Sequence, residues 1–215
     1  MSAFCTKWKF VPWALAATLL AIPVFAQSTG TSASTTNSTS SPSAPATIKD
    51  RRENQQDRIA QGVKSGQLTP GETANLETKE AALNGEIAAD RKANGGTLTQ
   101  PEKQQINQQE NQLSKQIAAD KHNDATDHFG NSEIGQREEN QQDRIAQGIK
   151  SGQLTPGETA KLETNEAAIN QQVRDDRQAN GGKLTPAEKK QINKEQNRQS
   201  RNINRARHNG RRGPH

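Results

Sequence analysis

The chain has 215 residues, a formal net charge of +5 and a mean hydropathy of −1.08. From Gln27 onward, Ile, Leu, Val and Phe make up about 12% of the residues, below the roughly 20% under which chains tend toward disorder, so a large apolar core is excluded. Both Trp, the only Cys and the only Met precede residue 27 and there is no Tyr, so Phe129 is the sole later aromatic; this rules out a disulfide within the mature monomer and disfavours aromatic stacking and most buried active sites.

Residues 1–26 have the pattern of an export signal. Lys7 and Lys9 give a positive start, an apolar stretch runs from Trp13 to Ile22, and Val24-Phe25-Ala26 places small residues at the cleavage positions. The apolar run, about 14 residues, is too short for the roughly 20 that span a bilayer, so a cleaved leader is expected rather than an anchor. Residues 27–47 are mostly Ser, Thr, Ala and Pro with no charge, a composition that cannot repay the entropy of ordering, and a disordered stalk is expected there.

Residues 53–74 recur at 139–160 with a single difference, Val63 becoming Ile149, at an offset of 86. The chain is a tandem duplication, with copies expected over 48–124 and 136–209, a linker over 125–135 and a basic tail over 210–215. A fainter period of 30 divides each copy: Leu68 maps to Leu98, Glu72 to Glu102 and Leu83 to Leu113.

Each half-unit reads as helix, glycine turn, helix. Gly66, Gly96, Gly152 and Gly182 suit the left-handed conformation that ends a helix. Thr69 with Glu72, Thr99 with Glu102, Thr155 with Glu158 and Thr185 with Glu188 then form four capping boxes. Behind the caps, Leu76, Leu83 and Ile87, and again Ile106, Leu113 and Ile117, draw narrow apolar stripes suited to a small bundle. The spacing predicts helices over 50–64, 70–92 and 101–121, repeated in the second copy. The expected fold class is all-α: two tandem three-helix copies built from helix-loop-helix half-units.

The stretch Gly66-Gln67-Leu68-Thr69-Pro70-Gly71-Glu72 resembles the second half of an EF-hand loop, as do its three repeats. The carboxylates that calcium needs earlier in the loop are missing, since those positions hold Gln61, Val63 and Ser65, Arg91, Ala93 and Gly95, and their equivalents in the second copy. EF-hand-like geometry without calcium is therefore expected, with Leu68 and Leu98 packing the paired loops together. The pattern QDRIAQGxKSGQLTPGE followed by AADRKANGGTLT is also similar to a family of exported bacterial proteins with repeated RIxxGxxxGxLTxxE units. That resemblance covers 52–124 and 138–209 and implies a bacterial envelope setting, with no activity attached.

Two constellations could carry chemistry. His122, Asp124 and His128, with Asp120 and Asp127 beside them, are metal-ligating residue types at a spacing that matches no known site. Charge is more telling, because segment 183–215 carries 10 basic and 2 acidic residues whereas 49–124 is nearly balanced. On a helix, Lys190, Lys194, Arg198, Arg201 and Arg205 fall within about 80° of arc. Their first-copy equivalents are Gln104, Gln108, Gln112, Lys115 and Ala119, so the stripe is not inherited from the repeat. Such a face attracts phosphates and other polyanions, and equally serves to keep a helix solvated.

No catalytic signature is present, and no cofactor is expected. The sequence reads as a non-enzymatic exported helical repeat protein, periplasmic or secreted, acting as an interaction or scaffold module of the envelope. Polyanion binding through the terminal helix is the alternative, and divalent-metal binding the third. The partner, protein or anionic polymer, and the oligomeric state are not encoded in any motif.

Overall fold

A computed structural model describes residues 46–214; the leader, the stalk up to residue 45 and His215 lie outside the described residues. The described residues form six helices and no strand: α1 (Ile48–Ser65), α2 (Pro70–Ala93), α3 (Gln100–Lys121), α4 (Glu133–Lys150), α5 (Pro156–Ala179) and α6 (Pro186–Arg207). None of them is long and apolar enough to cross a membrane.

All four capping boxes close. The Thr69 hydroxyl accepts from the Glu72 amide at 3.3 Å while the Glu72 carboxylate accepts from the Thr69 amide at 2.9 Å, and the pairs at Thr99, Thr155 and Thr185 repeat this. A fifth box, Thr47 with Asp50, opens α1 two residues before the expected start, at the last stalk position. Ser132 caps α4, so this helix begins at Glu133, inside the segment expected to be linker. Between helices, Gly66 and Gly152 adopt φ of 69° and 63°, which only glycine takes without strain.

The largest helix interfaces join the two copies: α2 packs along α5, and α1 along α4. Each pairs equivalent helices, so the copies meet through the same surface, as in a two-fold dimer. The third helix of each copy, α3 or α6, packs only on its own copy. A central cluster draws on both, with Ile59, Val63, Leu68 and Leu76 from the first and Ile145, Ile149, Leu154 and Leu162 from the second. Leu98 instead joins Leu83, Ile87 and Ile106 in a separate cluster, and Leu184 lies against the matching cluster of the second copy. The expected packing of Leu68 with Leu98 is thus not what forms. Leu68 shares its core with Leu154 because the first loops of the two copies face the common centre.

Both copies are also tied down at their ends. The Asp127 amide donates to the Gly66 carbonyl at 2.9 Å and Asn123 bonds Glu72 at 2.6 Å; 86 residues on, Gly213 and Asn209 bond Gly152 and Glu158 at the same distances. Linker and tail dock on their glycine turns in the same way.

Candidate functional site

The basic stripe is built by α6. Ile192, Gln196, Gln199 and Ile203 are buried against α4 and α5, which fixes the rotation of the helix and turns the opposite sector to solvent. Lys190, Lys194, Arg198, Arg201 and Arg205 are all exposed, and none makes an ion pair or side-chain hydrogen bond among the described residues. Two shallow grooves flank them, one lined by Lys189, Lys190, Lys194 and Arg201, the other by Arg144, Arg201, Arg205 and His208. Arg144 donates to the Ser200 hydroxyl at 2.9 Å and Arg137 to Asn197 at 2.6 Å, so α4 adds two fixed cations at the border. Burial, followed by the nearby Arg207, lowers the Arg144 pKa, with Glu166 opposing the shift.

The remaining basic residues of the segment are used differently. Arg207 donates twice to the Gln153 side chain, at 3.0 and 2.8 Å, and Arg211 lies 3.6 Å from Glu158. On α3, the equivalent positions Gln104, Gln108, Gln112, Lys115 and Ala119 are exposed too, so the two copies present the same scaffold with different charge.

Of the histidine-rich linker, His122 caps α3 with its Nδ1 2.7 Å from the Ala118 carbonyl, and His128 lies 2.8 Å from the Thr126 hydroxyl. Asp124 is exposed. Among the described residues no three His, Cys, Asp or Glu gather as metal ligands, so His122, Asp124 and His128 are not brought together. At the loops, Val63 and Ile149 face the core, and the Gly66 carbonyl is taken by Asp127.

The sequence reading missed a set of carboxyls in the interior. Glu77, Glu80, Glu110, Glu163 and Glu166 are at most 1% exposed, and Glu138 8%. Glu77 and Glu80 on α2 and Glu163 and Glu166 on α5 are equivalent pairs on the two helices that meet across the copies. Gln56 donates to Glu77 at 3.3 Å and Gln142 to Glu163 at 3.0 Å. Both Glu80 oxygens, and one oxygen each of Glu77, Glu138, Glu163 and Glu166, have no hydrogen-bond partner among the described residues. Burial raises every one of these pKa values. Glu80 and Glu138 are pushed to about 7 and Glu163 to about 8, with Glu77 and Glu166 held well above the usual range. Glu110 shifts the same way but is opposed by Arg51, 2.8 Å away.

A signal for them was present. Leu76, Leu83 and Ile87 leave one gap in a three-four repeat, and Glu80 fills it; Glu110 fills the same gap between Ile106 and Leu113. No protein-family model, curated protein or solved structure matches this chain.

Proposed function

We propose that this chain is a non-enzymatic, exported contact module of the bacterial envelope that holds an anionic polymer on the exposed face of α6. The observation that supports this reading is the set of five exposed cations without partners in one sector of α6, on a scaffold whose other copy presents mostly neutral side chains there. Keeping five like charges side by side costs self-repulsion that a purely structural helix avoids by interspersing acids. The export signal and the resemblance to exported repeat proteins supply the envelope setting. The EF-hand-like units act as rigid corners that present the helix and take no calcium.

With no aromatic residue on α6, recognition rests on charge density and not on base or sugar identity. The test is fluorescence anisotropy of the mature chain with labelled heparin and labelled duplex DNA over a range of salt. Binding to both with a steep salt dependence is expected, and on duplex DNA five contacts correspond to a log–log slope near −4.5, about −0.9 per phosphate. Changing Lys190, Lys194, Arg198, Arg201 and Arg205 to Gln should abolish it. A variant that binds like its parent would return the protein to a scaffold that contacts other proteins.

A further inference from the structure

We propose that the enclosed acids of the two copies form a proton-held clasp: the carboxyls buried beneath α2 and α5 keep the shared body closed while protonated and loosen it when the protons leave. Glu77, Glu80, Glu163 and Glu166 lie on α2 and α5 and are at most 1% exposed; Glu80 faces Arg52 of α1 and Glu110 of α3 in its own copy, Glu166 faces Glu138 of α4 and Gln199 of α6 in its own copy, and Glu77 acts on Glu163 between the copies. Ionising several of these carboxylates would place like charges in a low-dielectric interior, where repulsion is strong and hydration is lost.

The neighbours do not supply enough opposite charge. Facing the first-copy acids are Arg52 of α1, which acts on Glu80 and Glu110, and Arg51 of α1, paired with Glu110; Arg52 itself is opposed by Arg91 of α2. The duplication then substitutes an acid for that arginine, because the equivalent of Arg52 is Glu138. In the second copy, Glu138 of α4 and Asp127 of the linker add their charges to Glu163 and Glu166. Arg174 and Arg177 of α5 act on Glu138, Arg174 and His128 on Asp127, and Arg144 of α4 on Glu166. No cation acts on Glu77 or Glu163; Glu80 adds its charge to Glu77, and Glu77 adds its charge to Glu163 of the other copy. No three of the carboxyls converge as ligands for a metal ion, which leaves the proton as the neutralising partner.

The clasp also engages the linker. Asp127 is held by its amide to Gly66 of the first copy while its carboxyl acts on the second-copy acids, so charge released among those acids pushes on the strap that joins the copies.

The pH dependence has a definite sign. These groups release their protons at higher pH in the folded chain than in the unfolded one, where the ordinary value is 4.5. Stability is therefore fully present below about pH 4.5, is lost as pH rises through about 7 to 8, and levels off beyond. The experiment is thermal unfolding of the mature chain from pH 5 to pH 9 in chelator, beside E163Q/E166Q, whose amides keep the shape of the protonated acids without a charge to form.

The parent should lose roughly 10 °C or more in Tm across that range, and the double variant less than half as much. A carbon-13 titration of the glutamate carboxyls in the parent gives a second readout that does not depend on the variant folding. Glu80, Glu138 and Glu163 should titrate near pH 7 to 8, well above the ordinary glutamate range. A pH-independent Tm, a double variant as pH-sensitive as the parent, or buried carboxyls that titrate at the ordinary value would each overturn the clasp.

Discussion

At Thr69 and Thr155 a single hydroxyl satisfies an amide that the first turn of a helix leaves without a partner, and the facing glutamate returns the bond to the threonine amide. Thr69→Ala and Thr155→Ala are each expected to cost about 1 kcal/mol, read as a shift in urea midpoint at unchanged slope. Unchanged midpoints would mean that solvent caps these helices as well as the hydroxyls do. A harsher case is Gly135, where a Cβ would fall 1.5 Å from the Phe129 carbonyl oxygen. Backbone cannot give way as a flexible side chain does, so Gly135→Ala should destabilise by about 3 kcal/mol or more, and melting within a degree of the parent would refute the close approach. The threonine caps were legible because a capping box is local, four residues read in isolation. Thr47 was missed because its partner is Asp50 and not glutamate, and Gly135 because its constraint comes from a chain segment folded back across it.

Helix positions were legible to within two or three residues, since glycine turns, prolines and caps agree on the same boundaries. What the pattern hid was the content of the stripes: Glu80, Glu110 and Glu166 occupy core-facing positions that spacing alone marks as gaps. A side chain's identity at such a position reports its preference in isolation, whereas burial is decided by what the opposing helix leaves open. The α6 stripe tests the reverse, residues whose sector faces water. Its five-glutamine variant should keep the helical circular dichroism of the parent within about 10%, because Gln forms helix about as well as Lys and Arg. A collapse of that signal would show that the charges shape the helix itself. For the glycine loops, calorimetric titration with calcium is expected to show no affinity tighter than millimolar, since Val63 and Ile149 stand where oxygen donors are needed and are 1% exposed. Tighter binding would require a loop rearrangement that draws both residues out of the core.

For the molecule as a whole, duplication was plain in the sequence but the union of the copies was not. Equivalent helices carry equivalent faces, so the same pattern is compatible with two separate bundles or with one body in which each copy completes the other. Long-range contacts decide between them, and they leave no periodic trace. The central cluster favours one body, since Leu76 and Leu162 are buried in the same core although they lie 86 residues apart. A core shared in this way cannot lose one half without exposing the other, so the two copies should unfold together. Leu76→Ala and Leu162→Ala should each cost about 2 to 5 kcal/mol and displace the same single calorimetric transition at pH 5, where the buried acids carry their protons. Two transitions in the parent, or a substitution that moves only part of the heat absorption, would show copies folding on their own, and the clasp would then join finished domains and not halves of one core.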